Sequence, residues 1–371
     1  MILLRGRFLL LLFAVLLSSG ILLLSQGQVA HAVERSSTVT TPILGIQGDA
    51  QTPYPGINWL RLSYPTCNNS HLSGKVLQDT VRNYHQRGIR VLLTVCQPDL
   101  SVILDPMYLN DAAQGRADAV QCGNEQMKND PPYTRYVPPD LYAKFFDLCE
   151  SSMHAIRPEV PVLLGSLDPH VVGHDNQLLT QQVSYLNAVQ TAMNTVVYPG
   201  GNWSWRSHLV GLIDSWHNGY PSSTDNNLYQ LFAFWAQQFQ VDLNSGQLAH
   251  HLWVVEGTAC FTGCGLTGTY QVAVSHVITL ITDVLTTLKY GIPLFYFNGK
   301  DFVLNRVLFP IGVLDVNGDS KPLRQDLPMG ARTLDMICPH GAVNVAQQEQ
   351  LLALLYSGCQ PPGNFASILE S

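Results

Sequence analysis

Eight short apolar runs, each closed by a turn signal, recur along most of the chain. They are ILGIQGD (43–49), NWLRLSY (58–64), IRVLLTVC (89–96), ADAVQCGNE (117–125), VPVLLGSLD (160–168), LVGLIDSWHN (209–218), LWVVEGTA (252–259) and IPLFYFNG (292–299). Continuous apolar runs of this kind belong to strands buried on both faces, the situation in a parallel sheet. Between them lie stretches with helical periodicity. SGKVLQDTVRNYHQRG opens on Ser73, an N-cap residue type, and closes on Gly88, with Val76, Leu77, Val81 and Tyr84 on one stripe. PPDLYAKFFDLCESSMHAI, NQLLTQQVSYLNAVQTAMN, NLYQLFAFWAQQFQ and GTYQVAVSHVITLITDVLTTLKYG have the same character. Strand–helix alternation predicts an α/β protein, and eight strands joined by right-handed crossovers predict a (β/α)8 barrel. An open doubly wound sheet is the alternative. It carries a Gly-rich phosphate turn after its first strand, which GIQGDAQTPYPG does not match.

The first unit is short. Only eight residues (50–57), including Pro53, Pro55 and Gly56, separate the first two runs, fewer than the ~10–12 of a helical crossover. The first βα unit is therefore expected to be reduced. With 371 residues, 46% of them hydrophobic, there is material for one large core. The net charge of -7, with no basic run after the N-terminus, argues against a nucleic-acid partner.

The N-terminus carries its own signal. Arg5 and Arg7 precede an apolar run from Phe8 to Leu24, followed by Ala30-His31-Ala32, the order of a secretory signal peptide cleaved after Ala32. The run is near the length that spans a bilayer, so an uncleaved anchor is the alternative, and only then is a membrane a partner. The expected organisation is a signal segment over 1–32, a polar linker over 33–42, a barrel over 43–330 and a C-terminal extension over 331–371 carrying the helical stretch VAQQEQLLALLYSG. Eight cysteines follow the signal: Cys67, Cys96, Cys122, Cys149, Cys260, Cys264, Cys338 and Cys359. An even count in an exported chain favours disulfides, and spacing suggests Cys260–Cys264 and Cys338–Cys359 as local pairs. No CxxC or tight Cys/His cluster calls for a metal, and no cofactor is expected. DVNGDS (315–320) spaces Asp315, Asn317 and Asp319 like a calcium loop but lacks the glycine at the sixth position and the later glutamate, so a plain turn is expected.

In a barrel the chemistry sits at the C-terminal ends of the strands. The fourth run ends on Asn124-Glu125 and the seventh carries Glu256 late in an apolar stretch. The second carries Arg61, the fifth ends on Asp168, and the sixth offers Asp214, His217 and Tyr220. Each has an ordinary structural reading. Glu125 could bridge to Lys128, Arg61 could be an interior ion pair, His217 a hydrogen-bonded histidine and Asp168 a loop cap. His250-His251 precedes the seventh run at the far end of the barrel and reads as surface. Trp203 and Trp205 lie before the sixth run and read as structural. NNS (68–70) and NWS (202–204) are glycosylation sequons.

Taken together in strand order, these residues resemble clan A barrel glycoside hydrolases, which place Asn-Glu at the end of strand four and a second Glu at the end of strand seven. GNE (123–125) and VVEGTA (254–259) match in motif and order, and Arg61 matches an arginine on strand two. IDSWHNGYP is similar to the strand-six ending, with one extra residue between His217 and Tyr220. GVLDVNGDSKPL (312–323) is similar to the stretch that closes these barrels. Phe297-Asn298 stands where members carry a tryptophan sugar platform. The resemblance spans roughly residues 43–325 and implies a divergent member.

It implies a secreted enzyme that cleaves β-glycosides with retention through a covalent glycosyl-enzyme, acting on an oligo- or polysaccharide. Glu125 would be the acid/base, Glu256 the nucleophile held as a carboxylate by Arg61, and Asn124 a partner of the sugar 2-hydroxyl. His217, Tyr220, Phe297 and Asn298 would contact substrate. The alternatives are an inactive exported barrel that binds glycan, and a barrel enzyme of other hydrolytic chemistry.

Overall fold

The apolar runs become strands because their Val-, Ile- and Leu-rich segments can bury both faces, one into the barrel and one under the helices. The computed structural model describes residues 44–48, 57–68, 70–97, 105–127, 129–130, 133–134, 136–167, 175–213, 227–257, 287, 290–304, 306–309, 312 and 314–319. The expected signal segment, linker and C-terminal extension, and nearly all of the stretch 268–291, lie outside the described residues.

The barrel strands are β1 (Leu44–Gln47), β2 (Trp59–Ser63), β3 (Arg90–Val95), β4 (Ala119–Cys122), β5 (Val162–Leu167), β6 (Leu209–Ile213), β7 (Leu252–Gly257) and β8 (Leu294–Tyr296). Each pairs in parallel with the next, and β1 pairs with β8, which closes the sheet on itself. The expected (β/α)8 barrel is present, with each strand inside its predicted run. The helices are α1 (Gly74–Gln86), α2 (Pro106–Gln114), α3 (Pro139–Ile156), α4 (Asp175–Ala192) and α5 (Asn227–Phe239). Short hairpins follow β4 (Asn129–Asp130 with Tyr133–Thr134) and β8 (Phe302–Leu304 with Val307–Phe309).

Two details of α1 differ from expectation. Leu77, Val81 and Tyr84 are buried, but Val76 is 50% exposed, because it sits about 100° round the helix from Leu77. Ser73 occupies the N-cap position without using its hydroxyl. The Gly74 N–H instead donates to Asp111 Oδ1 of α2 at 2.8 Å, so a tertiary contact replaces the local cap. Helix α2 was not among the predicted helices. Its start was marked by Asp105, whose carboxylate accepts the Met107 N–H at 2.8 Å, and by Pro106 at the first position.

Period-two alternation sorts the strand side chains. Trp59, Leu92, Ala119, Leu163, Trp253, Val255 and Phe295 form a small cluster inside the barrel. Trp59 meets Trp253 edge-on at 5.7 Å, and Trp253 stacks on Phe295 at 6.2 Å. The alternate residues, such as Leu60, Leu93, Val120, Leu164 and Leu212, join the larger core beneath the helices. Each such aliphatic side chain contributes about 1.5–3 kcal/mol on burial.

The polypeptide leading into β6 is structural, as expected. Trp205 is fully buried, donates Nε1–H to Asn187 at 3.0 Å and lies under the Arg206 guanidinium at 4.2 Å. His250 is exposed, but His251 stacks on Phe239 at 4.8 Å, and burial lowers its pKa. Asp315 Oδ1 accepts the N–H groups of Asn317 and Asp319, so the DVNGDS stretch is an Asp-anchored turn. Among the described residues no helix is long and apolar enough to cross a membrane, and no cluster of His, Cys, Asp and Glu could hold a metal.

Candidate functional site

Above the apolar interior cluster, the next inward-facing positions are polar. Arg61 lies two residues beyond Trp59 on β2 and is 1% exposed. A guanidinium buried this deeply needs acceptors around its whole edge. Nη1 donates to Glu256 Oε1 at 2.5 Å and to Gln47 Oε1 at 2.7 Å. Nη2 donates to Asn124 Oδ1 at 2.7 Å, and Nε donates to Gln121 Oε1 at 3.1 Å. One cation therefore joins β1, β2 and β7 to β4 and the turn after it, with one carboxylate and three amide oxygens as acceptors.

Two β-bulges deliver side chains to this layer. In β7, Leu212 of β6 pairs with Val254 but Ile213 pairs with Glu256, leaving Val255 as the extra residue. Trp253 and Val255 already face the interior, so strict alternation would aim Glu256 outward; the bulge turns it toward Arg61. In β5 the pairing to β6 passes from Leu164 to Ser166, leaving Gly165 extra. Gly165 has φ +31, and a Cβ there would fall 2.0 Å from Gln126 Nε2. Only glycine fits.

The turn after β4 is fixed from both sides. Cys122 is bonded to Cys149 of α3, and its carbonyl accepts the buried Tyr142 hydroxyl at 2.8 Å. Gly123 takes φ +106, where a Cβ would press on Tyr142 at 2.9 Å. Glu125 adopts φ 50, a left-handed conformation that costs a non-glycine residue about 1–3 kcal/mol. Its N–H donates to the Ser166 carbonyl at 3.2 Å and hydroxyl at 3.1 Å, which holds it there. A second disulfide, Cys67–Cys96, ties the turn after β2 to the end of β3 at the same face of the barrel. Neither of these long-range pairs was among the local ones expected from spacing. Cys260, Cys264, Cys338 and Cys359 lie outside the described residues.

Of the residues singled out in the sequence, Arg61, Asn124 and Glu256 are in direct contact, and Glu125 follows Asn124 in the fixed turn. Asn124 and Glu125 are half-buried, and the Glu256 side chain is 12% exposed, so none of the three is fully sealed in the core. Phe297 packs edge-on against Phe302 at 5.7 Å. The Asn298 amide serves its own turn: Oδ1 accepts the Gly299 N–H at 2.7 Å and Nδ2 donates to the Lys300 carbonyl at 3.2 Å. Lys128, Asp168, Asp214, His217 and Tyr220 lie outside the described residues. The buried tyrosines nearby stay neutral. Burial, with the Asp111 charge, pushes Tyr64 up to about 12, and burial raises Tyr142 further.

Sequence reasoning missed Gln47, Gln121 and Ser166. Gln121 and Gln47 stand at inward positions of runs that were otherwise apolar, a signal the pattern did contain. Ser166 was not legible, because its direction depends on the bulge.

No protein-family model matches the sequence, and no curated protein matches it. The solved structures do show likeness. A GH5_18 variant from Streptomyces cattleya, solved in complex with Manb1-4GlcNAc, is similar with a TM-score of 0.51 at 13% identity, over 85% of this chain and 92% of that one. GH5_18 from the same organism in complex with GlcNAc gives 0.51 and 13%, over 89% and 96%. A glucosidase from Croceicoccus marinus gives 0.50 and 10%, over 79% and 68%. In fold, then, this chain is a closed eight-stranded parallel (β/α)8 barrel of the kind found in these glycoside hydrolases.

Proposed function

We propose that the protein is an exported glycoside hydrolase that cleaves β-glycosidic bonds with retention. The observation that carries this reading is the Arg61 guanidinium bonded at once to Glu256 on β7 and to Asn124, the neighbour of Glu125, after β4. Retaining hydrolysis needs two carboxyl groups with different roles, about 5–5.5 Å apart. Glu256, ion-paired to the Arg61 guanidinium, would be the carboxylate that attacks the sugar carbon. Glu125, displayed on a fixed turn, would protonate the leaving oxygen and then activate water. Asn124 would hydrogen-bond the sugar beside the reacting carbon. The likeness in fold to glycoside hydrolases supports the class, and the two disulfides fit an oxidising, extracytoplasmic compartment. The substrate is a carbohydrate, with His217, Tyr220 and Phe297 as further contacts.

The test is a hydrolysis screen of the purified protein on aryl β-glucoside, β-xyloside, β-mannoside and β-galactoside beside polymeric glucans, mannans and xylans. Release of aglycone or reducing ends, with β-configured product in the first turnovers, is expected. No hydrolysis of any member, with glycan binding retained, would replace this reading by a binding barrel.

A further inference from the structure

Asn124 is surrounded by groups of fixed hydrogen-bonding sense. A guanidinium only donates, so the atom it meets at 2.7 Å is the amide oxygen, Oδ1. The Ser166 hydroxyl donates to the same oxygen at 2.8 Å, and Gln121 Nε2 donates to it at 3.2 Å. Ser166 has one proton to give, and its oxygen already accepts the Glu125 N–H at 3.1 Å. Three donors thus converge on Oδ1, and flipping the amide would set NH2 against all of them. Among the described residues Nδ2 meets no acceptor.

The hydroxyl is there because of the bulge. Leu163 faces the barrel interior, and Ser166 is an odd number of positions further on, so an unbroken β5 would point it at the helices. The extra residue, Gly165, returns it to the interior, and bulges beside active sites re-aim side chains in this way.

We propose that Ser166 is a positioning residue: its hydroxyl, bridging the Glu125 backbone and the Asn124 amide, locks Asn124 with Nδ2 committed as a donor to the hydroxyl next to the reacting carbon of the sugar. This rests on the glycosidase reading above. The site then discriminates in favour of sugars that carry an oxygen at that carbon, because a hydrogen bond made there strengthens in the transition state.

The test compares wild type, Ser166→Ala and Ser166→Thr on an aryl β-glycoside that the wild type hydrolyses and on its 2-deoxy counterpart. For the hydroxylated substrate, Ser166→Ala should lower kcat about 10-fold with KM nearly unchanged, the pattern of an interaction made only in the transition state. Ser166→Thr, which keeps the hydroxyl, should restore most of it. On the 2-deoxy substrate Ser166→Ala should lose clearly less, because the contact to the sugar oxygen is absent and the Glu125 N–H keeps the Ser166 carbonyl. An equal loss on both substrates, or none on either, would overturn the proposal. A crystal structure of Ser166→Ala gives a readout independent of turnover: with Arg61 still held by Oδ1, the Asn124 amide should tilt or become less ordered at Nδ2, and an amide placed and ordered as in the wild type would overturn the proposal. If the wild type hydrolyses no β-glycoside, the glycosidase reading fails, and the crystal structure still decides whether Ser166 positions Asn124.

Discussion

Arg61 Nη1 lies 2.5 Å from Glu256 Oε1, an ion pair reaching from β2 to β7 over the ends of β1 and β8. Its side chains are 2% and 12% exposed, so each charge depends on the other for solvation that water does not supply. The remaining donors of Arg61 go to amide oxygens, which spread the charge without adding a second anion.

Removing the cation should therefore hurt twice. Arg61→Met should destabilise the fold by about 3–5 kcal/mol, because it leaves a largely buried carboxylate and three amide oxygens without their donor. Arg61→Lys keeps the charge but cannot reach four acceptors on three neighbouring elements, and kcat should fall about 100-fold or more. Denaturant unfolding and steady-state kinetics read the two effects separately. An active, fully stable Arg61→Met protein would show that the network is incidental.

Glu256→Ala and Glu125→Ala should fail in different ways. On the proposed mechanism, no glycosyl-enzyme would form without Glu256, and turnover should collapse for every leaving group. Without Glu125 an activated aryl group would still leave, but the second step would lose its base. Azide should then rescue Glu125→Ala and yield a β-glycosyl azide, while Glu256→Ala should yield the α-anomer by direct displacement. Product anomers are read by NMR. Wild-type rates in both variants would make the two glutamates structural.

The Cys122–Cys149 bond closes a sequence separation of 27 residues and ends two positions before Asn124. Replacing both cysteines by alanine should cost about 2–4 kcal/mol in unfolding free energy. It should also lower kcat more than removal of Cys67–Cys96, which ties the neighbouring turn and not the one that carries Glu125. Equal kinetic effects of the two deletions would argue that neither bond positions the turn.

Glu150 on α3 provides a pH signature. Burial raises its pKa, opposed by His208 and His154 and reinforced by Asp147; His208 Nε2 is 3.7 Å away. A carboxyl raised on folding contributes stability that is fully present below its unfolded value, about 4.3, and is lost as pH rises through the folded value. At neutral pH the ionised group therefore costs stability. Glu150→Gln should unfold at a higher temperature than wild type at neutral pH, and the difference should close as pH falls toward 4.3. A Gln variant less stable at neutral pH would mean that the histidine contacts outweigh burial.

Much of the fold is written in the local pattern. Eight apolar runs bounded by turns specify eight strands buried on both faces, and intervening stripes specify helices, because burial and backbone hydrogen bonding act over a few neighbouring residues. The same logic placed Arg61 inside the second strand and Asn124, Glu125 and Glu256 toward the ends of theirs. Other features required the closed barrel. Cys67 meets Cys96, and Cys122 meets Cys149, only after helices and strands pack, since spacing leaves many pairings open. The cap of α1 comes from Asp111, not from its own Ser73. Most of all, the period of two would send Glu256 and Ser166 toward the helices; register with β6 inserts one extra residue in each strand and turns both inward. Sequence thus determined which residues stand at the mouth of the barrel. Pairing between strands distant in the chain decided which way they point, because a one-residue slip reverses the face of every side chain beyond it.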